Sequence, residues 1–453
     1  MKSFKSIFPF DQTEIAAYKI MSNAEIDTAL TRSEKVFPYW SSMPFEERAE
    51  VFRNVANLLL ERKEKLATLI TNEMGKVFKE SVAEIEKCAL GCNFYADNAQ
   101  QFLEDEIIQT KYKKSFVAFQ PIGAVFAIMP WNFPLWQVFR FAAPTLMAGN
   151  VALLKHAPNV CGCSLAIQEL FEDAGADIGV FQSIIADTDV TEKILSGNIV
   201  QAVSLTGSEK AGSSVSAIAS AQVKKSVLEL GGSDCFIVLN DADIHKAAEV
   251  AVASRMQNAG QSCIAAKRFI VVEAVLNDFT DAVKANIQKL KQGNPFDASI
   301  TTGPLARLDL AEKLDNQVKQ SIAKGAEIIL GATVQGCNYQ PTLLMNVHKG
   351  MPAFDEEIFG PVFCLIKAKN EKEAIALAND SRYGLGGNLW TKNIDKGIDL
   401  AKRINSGSVF INSMVKSEPA LPFGGVKKSG YGRELSKHGI MEFVNVKTIT
   451  VTE

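Results

Sequence analysis

The run Asn258-Ala259-Gly260-Gln261-Ser262-Cys263-Ile264-Ala265-Ala266-Lys267-Arg268 places one thiol in a polar, glycine-containing turn. Before it, residues 244–256 carry Ala247, Ala248, Val250 and Ala251 at helical spacing; after it, Arg268-Phe269-Ile270-Val271-Val272 reads as a buried strand. A cysteine at such a junction can be partly exposed, with backbone N–H groups and two basic residues close by. Those features lower a thiol pKa and make a nucleophile. Taken alone, a free cysteine is more often a small buried hydrophobe. Two further stretches shift the balance. Val227-Leu228-Glu229-Leu230-Gly231-Gly232-Ser233-Asp234 sets a carboxylate at the end of an apolar run, and Met129-Pro130-Trp131-Asn132-Phe133-Pro134 sets an amide between two prolines at a strand-to-helix corner. Together they offer a nucleophile, a general base and an oxyanion donor.

The elements that must position these groups read as α/β. Residues 42–101 form long amphipathic helices, with Val51, Val55, Leu58 and Leu59 at helical spacing, and residues 115–120 a short strand ended by Pro121. From 122 to 208, strands (124–128, 150–155, 202–206) alternate with helices (135–147, 163–172), the rhythm of a doubly wound parallel sheet. Gly207-Ser208-Glu209-Lys210-Ala211-Gly212 then opens a helix running to about residue 220. Two glycines framing a helix N-terminus can hold a pyrophosphate on free N–H groups. The spacing is not GxGxxG, so taken without the other motifs a tight strand-to-helix turn is the better reading. A second α/β region starts near Asp234, with strands 269–272, 362–367 and 407–412 and helices 276–290, 308–323 and 371–379. Residues 442–451, rich in Val, Ile and Thr, suit an edge strand in need of a partner.

At 453 residues two or three domains are expected, and 47% hydrophobic with 22% charged residues is ordinary for a soluble protein. A net charge of -3 argues against a nucleic-acid surface. The N-terminus lacks a continuous apolar h-region, and the most apolar run, 122–131, is broken by Pro130 and too short to span a bilayer, so a cytoplasmic location is expected. The eight cysteines and four histidines lack zinc-like spacing, and no metal site is expected.

These motifs, with Leu205-Thr206-Gly207-Ser208, Glu356-Glu357-Ile358-Phe359-Gly360-Pro361 and Pro422-Phe423-Gly424-Gly425-Val426-Lys427, resemble the aldehyde dehydrogenase superfamily in order and over nearly the whole chain. The resemblance implies an NAD(P)-binding domain (1–104 and 122–230), a catalytic α/β domain (231–425) and a small β oligomerisation lobe (105–121 and 440–453) of a homodimer or homotetramer. It implies that Cys263 attacks the aldehyde, that Asn132 and the Cys263 N–H hold the oxyanion, and that Glu229 activates the water that hydrolyses the thioester. A glutamate there favours hydrolysis over transfer to coenzyme A. For the cofactor it implies Ile128, Pro130, Trp131, Lys155, Gly207, Ser208, Gly212, Leu230, Gly231, Glu357 and Phe359. Lys155 also reads as a strand-end lysine in solvent, and Phe359 as ordinary core. Lys155-His156-Ala157-Pro158 lacks the glutamate that NAD-preferring relatives often place here, so NAD or NADP are both open.

For the substrate, Trp136 and Arg140 lie one helical turn apart. Arg140 matches a position where succinate-semialdehyde dehydrogenases carry an arginine for the distal carboxylate; an interdomain salt bridge is the competing reading. Lys416 and Ser417, before Pro422, would sit at the tunnel mouth. Gln257 stands where some members have a second arginine. The expected reaction is oxidation of succinate semialdehyde to succinate. The alternatives are glutarate semialdehyde or a short aliphatic aldehyde, then a coenzyme A-acylating enzyme or a non-catalytic binding protein.

Overall fold

The computed structural model describes residues 2–452, and three sheets organise them. The first has six strands in the order Gly430–Tyr431, Lys225–Glu229, Val200–Thr206, Ala124–Met129, Val151–His156, Phe181–Ser183. Neighbours run parallel, except that Gly430–Tyr431 lies antiparallel to Lys225–Glu229. The central strands are apolar on both faces, as a sheet covered by helices on both sides requires. From Ala124–Met129 the chain steps outward through Val151–His156 and Phe181–Ser183. It then crosses back to lay Val200–Thr206 on the opposite flank. Strand order reverses there, and the crevice beyond the carboxyl ends of those two strands is where such sheets bind ligands. Pro130-Trp131-Asn132 and Gly207-Ser208 follow those ends directly.

The second sheet has seven strands: Glu327–Leu330, Thr342–Met345, Val362–Ala368, Arg268–Val272, Cys235–Val238, Gly387–Trp390 and Phe410–Ile411. Side chains alternate across it. Phe236 and Phe269 face one way, into a ring cluster with Phe279, Phe363 and Trp390, while Ile237 and Ile270 face a separate aliphatic core. The strand expected at 407–412 shrinks to Phe410–Ile411. Gly407 N–H is taken by the carbonyls of Gly384 and Leu385, and Asn412, whose N–H still reaches Leu389 O at 2.9 Å, turns left-handed at φ 53° and ends the strand.

The third sheet pairs Val444–Val451 antiparallel with Lys114–Pro121, which also carries Glu106–Ile107. Val444–Val451 is its edge, with Val446 60% exposed. Helix Phe78–Phe102 packs on helix Trp136–Met147, all of whose residues are buried. That contact brings one charged face of the longer helix beside the strand-to-helix corner at Asn132.

The ring cluster carries the second core. Phe269→Ala should cost about 3–5 kcal/mol, because the cavity left among Phe236 and Phe363 cannot close. Thermal unfolding followed by circular dichroism checks this; an unchanged Tm would mean that the sheet does not rely on these rings.

Candidate active site

Cys263 follows a sharp backbone corner. Helix Ile244–Met256 ends, and Asn258, Ala259 and Gly260 then take positive φ of 52°, 51° and 77° in succession. Left-handed backbone costs roughly 1–2 kcal/mol at a residue with a side chain, so the corner must be held. Arg255 holds it. Its buried guanidinium donates to the carbonyls of Gly260 (2.9 Å), Ala266 (3.1 Å), Ile358 (2.9 Å) and Gly360 (3.0 Å). A Cβ on Gly260 would overlap the Gly360 carbonyl. Asn258 Nδ2 donates to Asn132 O at 2.7 Å, and Lys267 Nζ donates to the carbonyls of Ser262, Cys263 and Ala265 at 2.9, 2.8 and 3.1 Å.

The thiol stands where two cavities meet. One, of about 200 Å3, lies at the carboxyl ends of the first sheet and is lined by Pro130, Trp131, Asn132, Gly207, Ser208, Leu230, Gly231, Glu357 and Phe359. The other, of about 190 Å3, is lined by Glu80, Glu84, Lys87, Trp136, Arg140, Ser417 and Phe423. Cys263 and Gln137 border both. A thiol between a cofactor-sized cleft and a charged tunnel is within reach of both.

Asn132 is buried beside it. Its Nδ2 donates to Gln261 O at 2.9 Å and its Oδ1 accepts from Gln137 Nε2 at 3.1 Å, which fixes the amide orientation and leaves one N–H uncommitted. In the first cavity, Trp131 and Phe359 meet edge to face with centroids 5.9 Å apart. Glu357 Oε1 accepts from Gly232 N at 2.9 Å. Ser208 caps helix Glu209–Ala221 by accepting from Ala211 N at 3.2 Å, and the cleft ends on that helix start. A dinucleotide fits this donor set: a helix N-terminus with a hydroxyl for phosphate, a carboxylate for sugar hydroxyls and two aromatic rings for a flat base.

Several expected residues are placed differently. Glu229 ends its strand with its carboxyl turned away from both cavity linings, against Gly424 and facing Glu434. Both its oxygens are buried without a hydrogen-bond partner, and burial first, then the Glu434 charge, push its pKa well up. Gly212 is a packing glycine: a Cβ there would meet Leu230 Cδ2 at 2.6 Å, so it shapes the cleft only through Leu230. Ile128 and Lys155 are register partners near the ends of adjacent strands, outside the lining; Lys155 is buried, not a solvated strand end. Lys416 is exposed and lines neither cavity. The segment is extended, so Val415 and Ser417 face inward and Lys416 outward. Arg140 pairs through Nε with buried Glu434 and lies 4.3 Å over the Phe423 ring, yet it also lines the second cavity, so both of its readings have a basis.

The basic residues near the thiol do not lower its pKa below the ordinary value. Burial pushes Cys263 from 9.0 up to about 11, outweighing the pull of Arg140 and Lys267. Lys267 spends its three protons on carbonyls, and the Arg268 guanidinium points away to Ser233, Leu377 and Ala378 carbonyls.

Sequence reasoning missed Arg255, Glu434 and the charged face of helix Phe78–Phe102. Glu80, Glu84 and Lys87 recur at helical spacing beside buried Cys88 and Cys92, a pattern wrong for a wet face and readable as such. Glu84 pairs with buried Lys76 and accepts from the N–H groups of Leu135 and Trp136, so it pins the start of the helix that follows Asn132.

A doubly wound cofactor cleft joined at a clamped cysteine to a second, substrate-sized cavity is the arrangement of a nucleotide-dependent enzyme. The chain belongs to the aldehyde dehydrogenase family, whose model matches residues 1–449. It is 48% identical to a probable succinate-semialdehyde dehydrogenase (NADP(+)) of Synechocystis, over 97% of each chain. It is 43% identical to a succinate semialdehyde dehydrogenase (NAD(P)+) of Escherichia coli K12, covering 98% of this chain and 97% of that one. The crystal structure of succinic semialdehyde dehydrogenase from Streptococcus pyogenes, in complex with NADP+, superposes with a TM-score of 0.97 at 35% identity, over 99% of this chain and 100% of that one.

Two outcomes test this geometry. A thiol held near 11 is protonated at neutral pH, so iodoacetamide alkylation of Cys263, partly accessible where the other cysteines are buried, should climb without levelling off below about pH 10. A plateau near neutrality would show a thiolate and contradict it. Arg255→Met should strand several buried carbonyls and cost about 3 kcal/mol or more, with loss of turnover. Wild-type Tm and activity in that variant would refute the clamp.

Proposed function

We propose that this protein oxidises succinate semialdehyde to succinate with NADP+ or NAD+. The observation that carries the reading is Cys263 on the border of two cavities, one fit for a dinucleotide and one carrying two cations, half-buried Lys87 and buried Arg140. The relatives named for this activity match along almost the full chain and add their weight to it.

Cys263 Sγ forms a bond to the aldehyde carbon as the carbonyl π bond opens onto oxygen, and the thiol proton passes to solvent water in the open cavity. The new oxyanion is held by the uncommitted Asn132 N–H and the Cys263 backbone N–H. The nicotinamide, when bound, supplies the hydride acceptor that makes the step an oxidation. Gly207 and Ser208 would hold its pyrophosphate, Glu357 a ribose, and Trp131 and Phe359 the ring side. Water then breaks the C–S bond of the thioester, releasing succinate and the thiol. Glu229 would be the base, turning from Gly424 toward Cys263; its unpartnered oxygens leave it free to move. Lys155, with no carboxylate at 156–158, tolerates a 2′-phosphate.

In this reading residues 1–104 and 122–230 bind the cofactor, 231–425 carry the chemistry, and 105–121 with 440–453 form the assembly lobe of a homodimer or homotetramer. Separate sheets support that division, with 430–431 returning to the first. The exposed edge Val444–Val451 supports self-assembly. No helix among the described residues is long and apolar enough to cross a membrane. All eight cysteines are free, which fits a reducing, cytoplasmic setting.

NADPH and NADH formation, followed spectrophotometrically with succinate semialdehyde and with butanal, tests the reading. The semialdehyde should be strongly preferred, and Cys263→Ser should lower turnover by more than about a thousandfold. Equal kcat/KM on butanal would sink the substrate, and near wild-type turnover in the serine variant would sink the nucleophile.

A further inference from the structure

Lys87 projects from helix Phe78–Phe102 into the cavity that Cys263 borders. Its Nζ donates to Ser417 Oγ at 2.7 Å and lies 4.5 Å over the Trp136 ring. Trp136 Nε1 donates to the same Ser417 Oγ at 3.0 Å. A hydroxyl has two acceptor lone pairs and one proton to give. With both lone pairs taken, Ser417 can only donate, and the ammonium beside it has protons left over. Two donors therefore converge on one spot that has no acceptor of its own.

The nearby carboxylates do not fill it. Glu84 is paired with Lys76, Glu80 accepts from Asn258 N, and Glu434 is paired with Arg140. Glu418 acts on the Lys87 charge from a distance but forms no ion pair with it. Lys87 has no ion-pair partner among the described residues, whereas Arg140, the other cation of the cavity, has its charge compensated by Glu434. A half-buried cation on a partly apolar wall without a contacting counter-ion gains from a ligand that brings one.

We propose that Lys87, with the Ser417 hydroxyl as its second donor, is the specificity-determining group that binds the substrate's distal carboxylate, while Arg140 shapes the wall. This rests on the semialdehyde reading above. The short carbon chain would lie along Trp136 and Phe423, with the aldehyde at Cys263. Arg140 would add its field without giving up Glu434.

The charge on Lys87 supports the assignment through its pH dependence. Burial first, then repulsion from Arg140, lower its pKa to about 8. The groups facing it are Arg140 from helix Trp136–Met147, Glu418 from the loop after Val415, Glu84 and Cys88 from its own helix, and Glu80 and Cys263 along the cavity wall. A lysine is charged below its pKa. Affinity for a carboxylate is therefore kept below about pH 8 and fades above it.

The test measures kcat and KM for succinate semialdehyde and butanal in wild type, Lys87→Met and Lys87→Arg. Lys87→Met should lower the semialdehyde-to-butanal ratio of kcat/KM by about tenfold to a hundredfold, mainly through KM. Lys87→Arg should recover much of that ratio. In the wild type, KM for the semialdehyde should rise above about pH 8 relative to that for butanal, and in Lys87→Arg this rise should vanish. A wild-type preference that survives in Lys87→Met, or a KM ratio flat through that pH range, overturns the assignment and leaves the semialdehyde reading standing. No preference in the wild type overturns both. Loss of the rise in Lys87→Arg separates the lysine from Glu80, which burial raises to about 7 in the same cavity, and Lys87→Gln is the second variant should Lys87→Met fail to fold.

Discussion

The site depends on one strained corner and the arginine that holds it. Three successive left-handed residues, 258–260, cannot persist on local preference, since only Gly260 takes that conformation without cost. Arg255 offsets the strain with hydrogen bonds to four carbonyls, two beside the cysteine loop and two in the Ile358–Gly360 stretch. The same corner reaches the first sheet through Asn258, which holds Asn132 O. Cys263, Asn132 and the Glu357–Phe359 wall of the cleft are thus referenced to one buried cation. A guanidinium suits this role because its planar donors meet several carbonyls at once, which an ammonium cannot do with fixed geometry.

Charge burial then sorts the remaining groups. Lys76 with Glu84 and Arg140 with Glu434 are matched inside the protein and act as fixed parts of the wall. Cys263 and Glu229 are desolvated without a matching charge, so both are held in their neutral forms, the thiol pushed to about 11 and the carboxyl well above its usual range. Matched pairs build the cavity; unmatched groups are the ones a ligand can change.

Much of this was legible in the sequence. The alternation of strands and helices from Ala124 to Ala221, the switch point beside Trp131 and Gly207, and the placing of Cys263 and Asn132 together all follow from pattern and motif. What escaped is of one physical kind. Lys267 and Arg268 are basic and adjacent to the thiol in sequence, but their protons go to backbone carbonyls, and no local pattern reports that. Lys416 and Ser417 are neighbours, yet strand-like alternation turns one outward and the other onto Lys87 and Trp136. Lys87 lies 176 residues before Cys263 in the chain, and only the packing of Phe78–Phe102 on Trp136–Met147 brings it to the same cavity. Gly212 shows the converse: a glycine that pattern assigns to phosphate serves a close approach to Leu230.

Glu229 is the extreme case of an unmatched group. A buried carboxyl with no donor to either oxygen is poor in stability, because such groups ordinarily cost free energy unless hydrogen-bonded. Kept neutral by burial and by Glu434, it avoids the larger cost of an unpaired charge, and it gains freedom to turn because nothing anchors it. Its neighbours Leu230 and Gly231 already line the cofactor cleft. On the function proposed for it, the residue would ionise only where water and the thioester are present, away from Glu434. The same desolvation that disqualifies it as a base in its resting place would therefore keep it uncharged until hydrolysis is due.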